Sequence, residues 1–420
     1  MIRSAAARTF SVFAVTATTA LCVLAWPGGT HAQTSYAVLH SFAGPDGLNP
    51  SDGLGLIQGF DGTLYGTTFE GGDADSGTVF QMATDVSGFT LLHSFTGGTV
   101  DGRLPEGGLL QGPDGTLYGT TTGGGDANLG TVYQMAPDGS GFALLHSFAG
   151  PDGSSPLSNV IQGPDGTLFG TTQFGGAAND GTVFQMAPDG SGFALLHCFN
   201  GSDGNDLRAG LIQAADGTLY GTTFGGGDAG SGTVFQMAPD GSGFALLHSF
   251  TGGTVDGANP LGGLLQGPDG TLYGTTVRGG GANLGTVYQM APDGSGFALL
   301  YSFTGPDGAS PLSNLIQGPD GTLYGATLFG GDLGGGTVFQ MAPDGSSFTL
   351  LHSFPGTTVQ PTAGLVQGPD GTLYGTTSGF EILAGGVVFS LSPGAAPSRA
   401  LLASPPSIIR TSPGLVTHGG

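Results

Sequence analysis

The stretch Asp-Gly-Thr-Leu-Tyr-Gly-Thr-Thr at residues 114–121 occurs seven times in this chain with small changes. The copies begin at Asp61, Asp114, Asp165, Asp216, Asp269, Asp320 and Asp370, so successive copies lie 53, 51, 51, 53, 51 and 50 residues apart. A period near fifty residues, made of short β-patterned runs and glycine turns, is typical of propellers and other stacked-repeat folds. A residue present in every copy is therefore first interpreted as a folding residue.

Each copy divides into four β-patterned runs, which are clearest in the second repeat at residues 108–111, 116–121, 130–135 and 142–148. Pro-Asp-Gly precedes the second run and Pro-Asp-Gly-Ser precedes the fourth. These residues suit tight hairpins, because proline presets φ and glycine accepts a positive φ. We expect a four-stranded antiparallel sheet per repeat, with both faces buried between neighbouring repeats.

The two ends of the repeat region indicate a closed ring. The fourth-run pattern appears first at residues 36–42, before any complete repeat, and the last repeat stops after its third run at residues 386–391. If the N-terminal run completes the last sheet, no blade edge is left unpaired. The sequence therefore predicts an all-β, seven-bladed β-propeller with four antiparallel strands per blade. A solenoid is the alternative, but it does not explain the divided strand set.

Composition limits the possible partners. The chain has 86 glycines, no lysine, and seven arginines against 30 acidic residues, which gives a net charge of -23. Phosphates of nucleic acids and anionic lipid surfaces would repel such a chain. We expect a monomer whose partner is a protein or a glycan, with no nucleic acid bound and no insertion of the mature body into a membrane.

The N-terminus has the pattern of a secretory signal. Arg3 and Arg8 precede a mostly apolar run over residues 10–26, and a small-residue cleavage site ends at Ala32. The expected division is a signal peptide at 1–32, a propeller at 33–393 and a disordered Pro/Ser/Ala-rich tail at 394–420. An uncleaved anchor is the alternative to a protein secreted or held at the cell surface. Cleavage would leave Cys198 as the only cysteine, which we interpret as a buried substitute for serine.

The repeat wording resembles a known family. Leu-(Ile/Leu/Val)-Gln-Gly-x-Asp-Gly-Thr-Leu-Tyr-Gly-Thr-Thr, then Gly-Gly, then Gly-Thr-Val-(Phe/Tyr), is similar to the GloVer tandem repeat of bacterial choice-of-anchor surface and secreted proteins. The resemblance covers residues 36–391 and implies a β-propeller with no established enzymatic activity. Members often carry a C-terminal sorting signal, whereas residues 401–420 show no such pattern.

Histidine occurs once per repeat near the end of the fourth run, and tyrosine replaces it in one copy. The positions are His40, His93, His146, His197, His248, Tyr301 and His352. Because they fall on outer strands of different blades, they cannot share one metal ion, whose ligands lie about 2.1 Å away. We predict structural hydrogen bonds within or between blades. The aromatic residue of each second run, as in Tyr118, is predicted to pack between blades.

A glutamine ends each first run, where a ring of polar side chains could form at one end of the central channel. The ring candidates are Gln58, Gln111, Gln162, Gln213, Gln266, Gln317 and Gln367. Two interpretations remain open: hydrogen bonding to the backbone alone, or a ring that also touches a ligand or ordered water.

Aspartates in the loops between the second and third runs are candidates for a ligand-binding face. They are Asp73, Asp75, Asp126, Asp180, Asp228 and Asp332. Hairpin turns are nearly uniform among repeats, whereas these loops and the blade connections differ, and specificity belongs on variable loops. We expect a ligand over this face, near the mouth of the channel. Asp73 and Asp75 are weak candidates for calcium, since carboxylates among glycines suit a hard cation; no other cofactor is expected.

Three functions are compatible with the sequence. One is a non-enzymatic binding or scaffold propeller, and another is a purely structural surface protein. The remaining one is a carbohydrate-active enzyme, which needs two unmatched carboxylates across a cleft. The non-repeating acids are Glu70, Glu106 and Glu381, and Arg103 offers Glu106 a simpler ion pair. We favour the binding propeller.

Overall fold

The computed structural model describes residues 34–50, 55–85, 87–356, 359–379 and 385–392. All of them belong to one compact unit. The predicted signal peptide, the predicted tail, Glu381 and Cys22 lie outside these ranges. Over the described ranges the chain forms strands and no helix, and so contains no helix long and apolar enough to cross a membrane.

Seven antiparallel sheets follow one another along the chain, and each is a propeller blade with an inner, a second, a third and an outer strand. Blade 1 contains Leu56–Gln58, Leu64–Glu70, Thr78–Met82 and Thr90–Ser94. Blade 2 contains Leu110–Gln111, Leu117–Thr121, Thr131–Met135 and Ala143–Ser147. Blade 3 contains Ile161–Gln162, Leu168–Thr172, Thr182–Met186 and Ala194–Cys198. Blade 4 contains Ile212–Gln213, Leu219–Thr223, Thr233–Met237 and Ala245–Ser249.

The remaining blades repeat this order. Blade 5 contains Leu265–Gln266, Leu272–Thr276, Thr286–Met290 and Ala298–Ser302. Blade 6 contains Ile316–Gln317, Leu323–Thr327, Gly334–Met341 and Thr349–Pro355. Blade 7 contains Val366–Gln367, Leu373–Gly379, Val387–Ser392 and, as its outer strand, Ser35–Ser41. Short strands in the loops and blade connections are Leu48–Pro50, Gly257–Ala258, Arg278–Gly279 and Val359–Pro361.

The predicted ring closure is confirmed. Ser35–Ser41 pairs antiparallel with Val387–Ser392, from Ser35 opposite Ser392 to Ser41 opposite Val387. The amide of Phe42 continues the pairing by donating to the carbonyl of Gly386 at 3.0 Å. The chain therefore completes its last blade with its first described strand.

The core lies between the blades rather than inside any one of them. Leu56, Leu64 and Phe80 of blade 1 pack with Tyr374 and Val388 of blade 7, and six equivalent clusters fill the other contacts between blades. Burying both faces of every sheet in this way accounts for the consecutive buried residues of the second and third strands, such as Leu64-Tyr65 and Val79-Phe80. The predicted packing of the second-strand aromatics between blades is confirmed.

A ring of stacked side chains joins the outer strands. The ring of His146 stacks on Phe193 of the next blade at 3.9 Å between centroids, and Tyr301 occupies the same place against Phe348 at 4.0 Å. His352 stacks on Tyr36 at 4.4 Å, which carries the ring across the closure. The imidazole of His146 also hydrogen-bonds Asp152 at 2.9 Å. These contacts confirm the structural interpretation of the repeated histidines.

Candidate functional site

The propeller has two different faces. The face that bears the turns between inner and second strands and between third and outer strands is called the hairpin face. The opposite face, called the loop face, bears the loops between second and third strands together with the blade connections. On the loop face each connection pairs with the segment that follows the second strand, as between Leu48 and Glu70 or between Arg103 and Gly123.

The glutamine side chains stabilise the turns of the hairpin face. Each Nε2 donates to the carbonyl of the glycine four residues later, as from Gln162 to Gly166 at 3.0 Å and from Gln213 to Gly217 at 3.0 Å. All seven make this bond, which bears out hydrogen bonding to the backbone. Contact of this ring with a ligand stays a prediction.

The loop aspartates lie on the loop face, against the outer strands. The backbone amides of Asp73, Asp126 and Asp228 each donate to a serine Oγ at the end of their own blade's outer strand. Their side chains, and that of Asp332, are exposed, whereas Asp180 is half-buried. This placement puts three of the six at the rim of the blades rather than at the axis.

Asp75 has a turn role that the sequence analysis did not assign. Its φ is 52°, and its Oδ1 accepts the amide of Gly71 at 3.0 Å. Asn128, Asn179 and Asn283 have the same backbone conformation and make the same bond in their blades. Asp and Asn tolerate the left-handed region because their short side chains bond locally. One of the two calcium candidates is thus engaged in its own loop.

Metal binding at Asp73 and Asp75 stays a prediction. Over the ranges that the structure describes, no three His, Cys, Asp or Glu side chains come together in a way that could hold an ion.

A cavity of about 370 Å³ lies at the mouth of the channel on the loop face, and we call it the mouth cavity. Its walls come from blade connections and from the ends of second strands, so that blades 1, 2, 6 and 7 all contribute. The lining residues are Asn49, Phe69, Glu70, Glu106, Leu312, Leu328, Thr362, Ser378 and Gly379. The volume is within the range of small-molecule sites.

The mouth cavity is lined at positions where the repeats differ most. One such position lies five residues before the inner-strand glutamine and carries Glu106, Leu157, Arg208, Leu261, Leu312 and Thr362 in blades 2 to 7. Another directly follows the Thr-Thr pair or its Ala-Thr variant and carries Phe69, Thr122, Gln173, Phe224, Val277, Leu328 and Ser378. The two positions before it are Thr-Thr or Ala-Thr in every blade, whereas the position after it also varies and carries Glu70, Gly123, Phe174, Gly225, Arg278, Phe329 and Gly379. Side-chain variety in this repeat is therefore concentrated around the mouth.

Hydrogen bonds between blades hold these variable residues on a fixed base. Thr120 Oγ1 donates to the carbonyl of Ser158 at 2.9 Å, and Thr171 Oγ1 donates to that of Ala209 at 3.0 Å. The accepting residue is small because it lies directly against the next blade: a Cβ on Gly107 would lie 2.7 Å from the carbonyl oxygen of Ser158. The variable position directly precedes this residue, so its backbone is fixed while its side chain is free to differ.

The wall formed by blades 1 and 7 is also fixed by hydrogen bonds. Asn49 Nδ2 donates to Glu70 Oε2 at 3.2 Å, and Asn49 Oδ1 accepts the amide of Gly379 at 3.3 Å. Thr362 is 2% exposed, and its Oγ1 has no hydrogen-bond partner among the described residues. A buried oxygen without a partner costs free energy, and a polar ligand can relieve that cost.

A smaller cavity of about 30 Å³ continues the mouth across blades 3 to 6, and Leu312 lines both. Among the described residues that line it, the charged one is Arg208, which Asp206 holds by bonds of 3.0 and 2.8 Å. Gln173 Nε2 binds the same carboxylate at 2.8 Å, and the guanidinium lies 4.2 Å from the ring centre of Phe224. The positive charge of Arg208 is thus neutralised beside the smaller cavity. The carboxylates of Glu70 and Glu106 line the mouth cavity instead.

Sequence reasoning had named Glu70 and Glu106 as unmatched acids, and the structure places both in the mouth cavity. It missed Asn49, Phe69 and Thr362. Aligning the seven copies position by position would have found Phe69 and Thr362, because each lies beside a residue that the fold holds constant. The aspartates favoured from the sequence do not line this cavity.

Seven four-stranded blades around an axis, closed by the N-terminal strand, define a β-propeller repeat protein. The chain belongs to the Gloeobacter/Verrucomicrobia repeat family, whose pattern matches it twice, over residues 29–229 and 208–404. This confirms the resemblance drawn from the repeat wording. No curated protein sequence matches the chain.

Solved structures with similar folds share little sequence with this chain. An oligogalacturonate lyase in complex with manganese has a TM-score of 0.58 at 12% identity, over 87% of this chain and 94% of that one. The extracellular domain of a proposed one-component system from B. thetaiotaomicron has a TM-score of 0.52 at 11% identity, over 86% and 42%. A proposed 6-phosphogluconolactonase from Bacteroides uniformis has a TM-score of 0.51 at 17% identity, over 77% and 93%. At such identities the likeness concerns the fold alone.

Proposed function

We propose that the protein is a binding propeller that works outside the cell and holds its ligand in the mouth cavity. The observation that carries the proposal is the concentration of side-chain variety around this cavity, on a backbone that hydrogen bonds hold in place. Binding sites are commonly formed by variable residues on a rigid scaffold. The ligand is a glycan or a segment of a protein, in keeping with the acidic, lysine-free chain.

The lining suits a ligand with both apolar and polar parts. Phe69, Leu312 and Leu328 offer an apolar wall, and all three are half-buried, so a ligand would cover them further. Polar groups that can hydrogen-bond a ligand come from Asn49, Glu70 and Thr362. Sites of this kind take affinity from the apolar surface and orientation from a few polar groups.

Glycan and peptide arrays probed with the purified protein test the proposal, followed by calorimetry on the hits. The cavity is filled in the variant Leu328→Trp, at a position where blades 1 and 4 already carry phenylalanine. The matched control is Ala215→Trp on the hairpin face, where the equivalent residue Phe60 is 77% exposed. We expect the first variant to abolish binding and the second to keep it. Equal binding by both would place the ligand elsewhere.

A carbohydrate-active enzyme is the second candidate, because Glu70 and Glu106 come from adjacent blades and line one cavity. Glycosidases need two carboxyl groups about 5 to 10 Å apart. Incubating the protein with the array glycans, and analysing the products, tests this function. Cleavage that is lost in both Glu70→Gln and Glu106→Gln would favour the enzyme; binding without cleavage would favour the binding module.

A further inference from the structure

The charge of the mouth cavity has one sign. Among its described lining residues the charged ones are Glu70 and Glu106, with no lysine, arginine or histidine. Glu70 accepts a hydrogen bond from the neutral side-chain amide of Asn49. The chain's net charge of -23 adds to the negative potential around this carboxylate.

A second feature is a hydroxyl oxygen that can accept a hydrogen bond from a ligand. Thr362 Oγ1 is buried and has no partner within the described part of the chain. Asn49 is engaged on both sides, because its Oδ1 accepts the amide of Gly379 and its Nδ2 donates to Glu70. A carboxylate only accepts hydrogen bonds, and a hydroxyl can accept them. An ammonium group has three donors and no acceptor, so it matches this set of oxygens.

Phe69 adds a surface that also attracts a cation. It lies next to Glu70 in the chain and lines the same cavity, and the face of an aromatic ring attracts a positive charge. The same association occurs across the mouth, where Arg208 of this chain lies over Phe224, the residue equivalent to Phe69.

We propose that the mouth cavity binds an organic cation, a primary ammonium group on a body the size of a hexose or an amino acid. The inference rests on the proposed function, since it names the ligand chemistry of that site. The ammonium group lies against Glu70 and Thr362, and the body of the ligand contacts Phe69 and Leu328. The cation comes from an amino sugar or from a lysine side chain.

Calorimetry with matched pairs of probes tests the proposal and separates the two sources. The first pair is D-glucosamine and D-glucose, and the second is Nα-acetyl-lysine amide and its neutral isostere Nα-acetyl-norleucine amide. We expect the ammonium member of at least one pair to bind about tenfold or more tightly than its partner. Binding should weaken as salt rises, because salt screens charges.

Variants assign the effect to the cavity. Glu70→Gln should weaken binding of the ammonium probe by about tenfold or more, a loss of about 1.4 kcal/mol. The control Asp240→Asn removes the same charge from the hairpin face, where the side-chain oxygen can still accept the amide of Ser242. It should leave binding unchanged. Thermal melting of both variants shows whether they remain folded.

Two failures are distinguishable. If neutral probes bind as well as ammonium probes, and Leu328→Trp still abolishes their binding, the site is right and the cationic ligand is wrong. If no probe binds, if calcium alone binds at Glu70 in place of the ammonium probes, or if Glu70→Gln and Asp240→Asn weaken binding equally, the proposal is overturned. Array hits that Leu328→Trp leaves bound overturn the proposed function as well.

Discussion

Glycine in the middle of the second strand shows how single residues impose this fold. A Cβ on Gly274 would overlap the ring of Tyr288, which crosses it from the third strand of the same blade. Each of the other blades has a glycine and an aromatic ring in the same relation. The pattern Leu-(Tyr/Phe)-Gly-(Thr/Ala)-Thr is thus a packing requirement, and the invariance of its glycine carries no functional information.

Replacing that glycine should destabilise the propeller. We expect Gly274→Ala to lower the free energy of unfolding by about 1 to 3 kcal/mol, the usual cost of overpacking a core. Gly281→Ala is the control in the same blade, because its Cβ would meet nothing within 4 Å. Urea denaturation measures both. Equal stability of the two variants would contradict this packing account.

His352 makes stability depend on pH. Burial lowers its pKa from 6.5 to about 4, so the folded protein disfavours the charged imidazole. Between these values the unfolded chain binds more protons than the folded one, and stability falls as pH drops from 6.5 towards 4. We expect His352→Phe, which keeps a ring against Tyr36, to remove a loss on the order of 2 kcal/mol. Melting curves over that window would show the same slope in both proteins if the account is wrong.

The sequence alone predicts the structural role of residues that recur in every repeat. It does not show which of the residues that differ between repeats lie together in a site. The stacking of His146 on Phe193 joins two blades, so neither residue reveals its partner by spacing within one repeat. Glu70 stands out in the sequence as an acid at a position where the other repeats have none. Its proximity to Leu328 and Ser378 depends on how blade 1 meets blades 6 and 7. Ring closure creates that neighbourhood.

At the scale of elements, the most important strand is the one that closes the ring. Ser35–Ser41 lies far in sequence from Val387–Ser392 but pairs with it over six residue positions. Tyr36 from this strand also packs with Phe389 and His352, at centroid distances of 5.7 and 4.4 Å. Burial raises the pKa of Tyr36 to about 12, in keeping with this packing.

Removing the closing strand should therefore open blade 7. We expect deletion of residues 33–43 to lower stability by several kcal/mol and to expose an unpaired strand edge that promotes aggregation. Thermal melting and light scattering measure the two effects. A truncated protein that melts like the full chain would contradict closure by this strand.

Cys198 occupies an outer-strand position that is serine in other blades. It replaces the serine whose Oγ accepts a loop amide in blades 1, 2 and 4, and it is a half-buried free thiol. We expect Cys198→Ser to match or exceed the stability of the natural chain, because serine is the residue of the equivalent blades. A clear loss in the melting temperature would show that blade 3 depends on the sulfur.

At the scale of the whole molecule, the two faces divide the work of folding and binding. Hairpin turns, glutamine bonds and outer-strand stacks repeat with little change, whereas the loop face gathers the variable residues around one opening. The sequence correctly placed the diversity on this face. It placed the ligand candidates at Asp73, Asp126 and Asp228, which lie beside the outer strands, because distance from the axis cannot be read from one repeat.

A ligand site in the mouth cavity and a ligand site at the loop aspartates predict different effects of substitution. If the mouth cavity is the site, Phe69→Ala should weaken ligand binding by about tenfold, the loss expected when an aromatic contact is removed. Alanine at Asp73 or Asp228 should then change affinity little, with melting within a few degrees of the natural protein. Calorimetry with an array hit measures the affinity of each variant. A larger loss of affinity in the aspartate variants than in Phe69→Ala would favour a site at the loop aspartates.

A crystal structure of the protein with an array hit would show whether the ligand occupies the mouth of the channel on the loop face. We predict electron density for the ligand against Phe69 and Leu328, within hydrogen-bonding distance of Glu70 and Thr362. Density on the hairpin face around Asp138 or Asp269, or over the outer strands beside Asp73, would contradict the account.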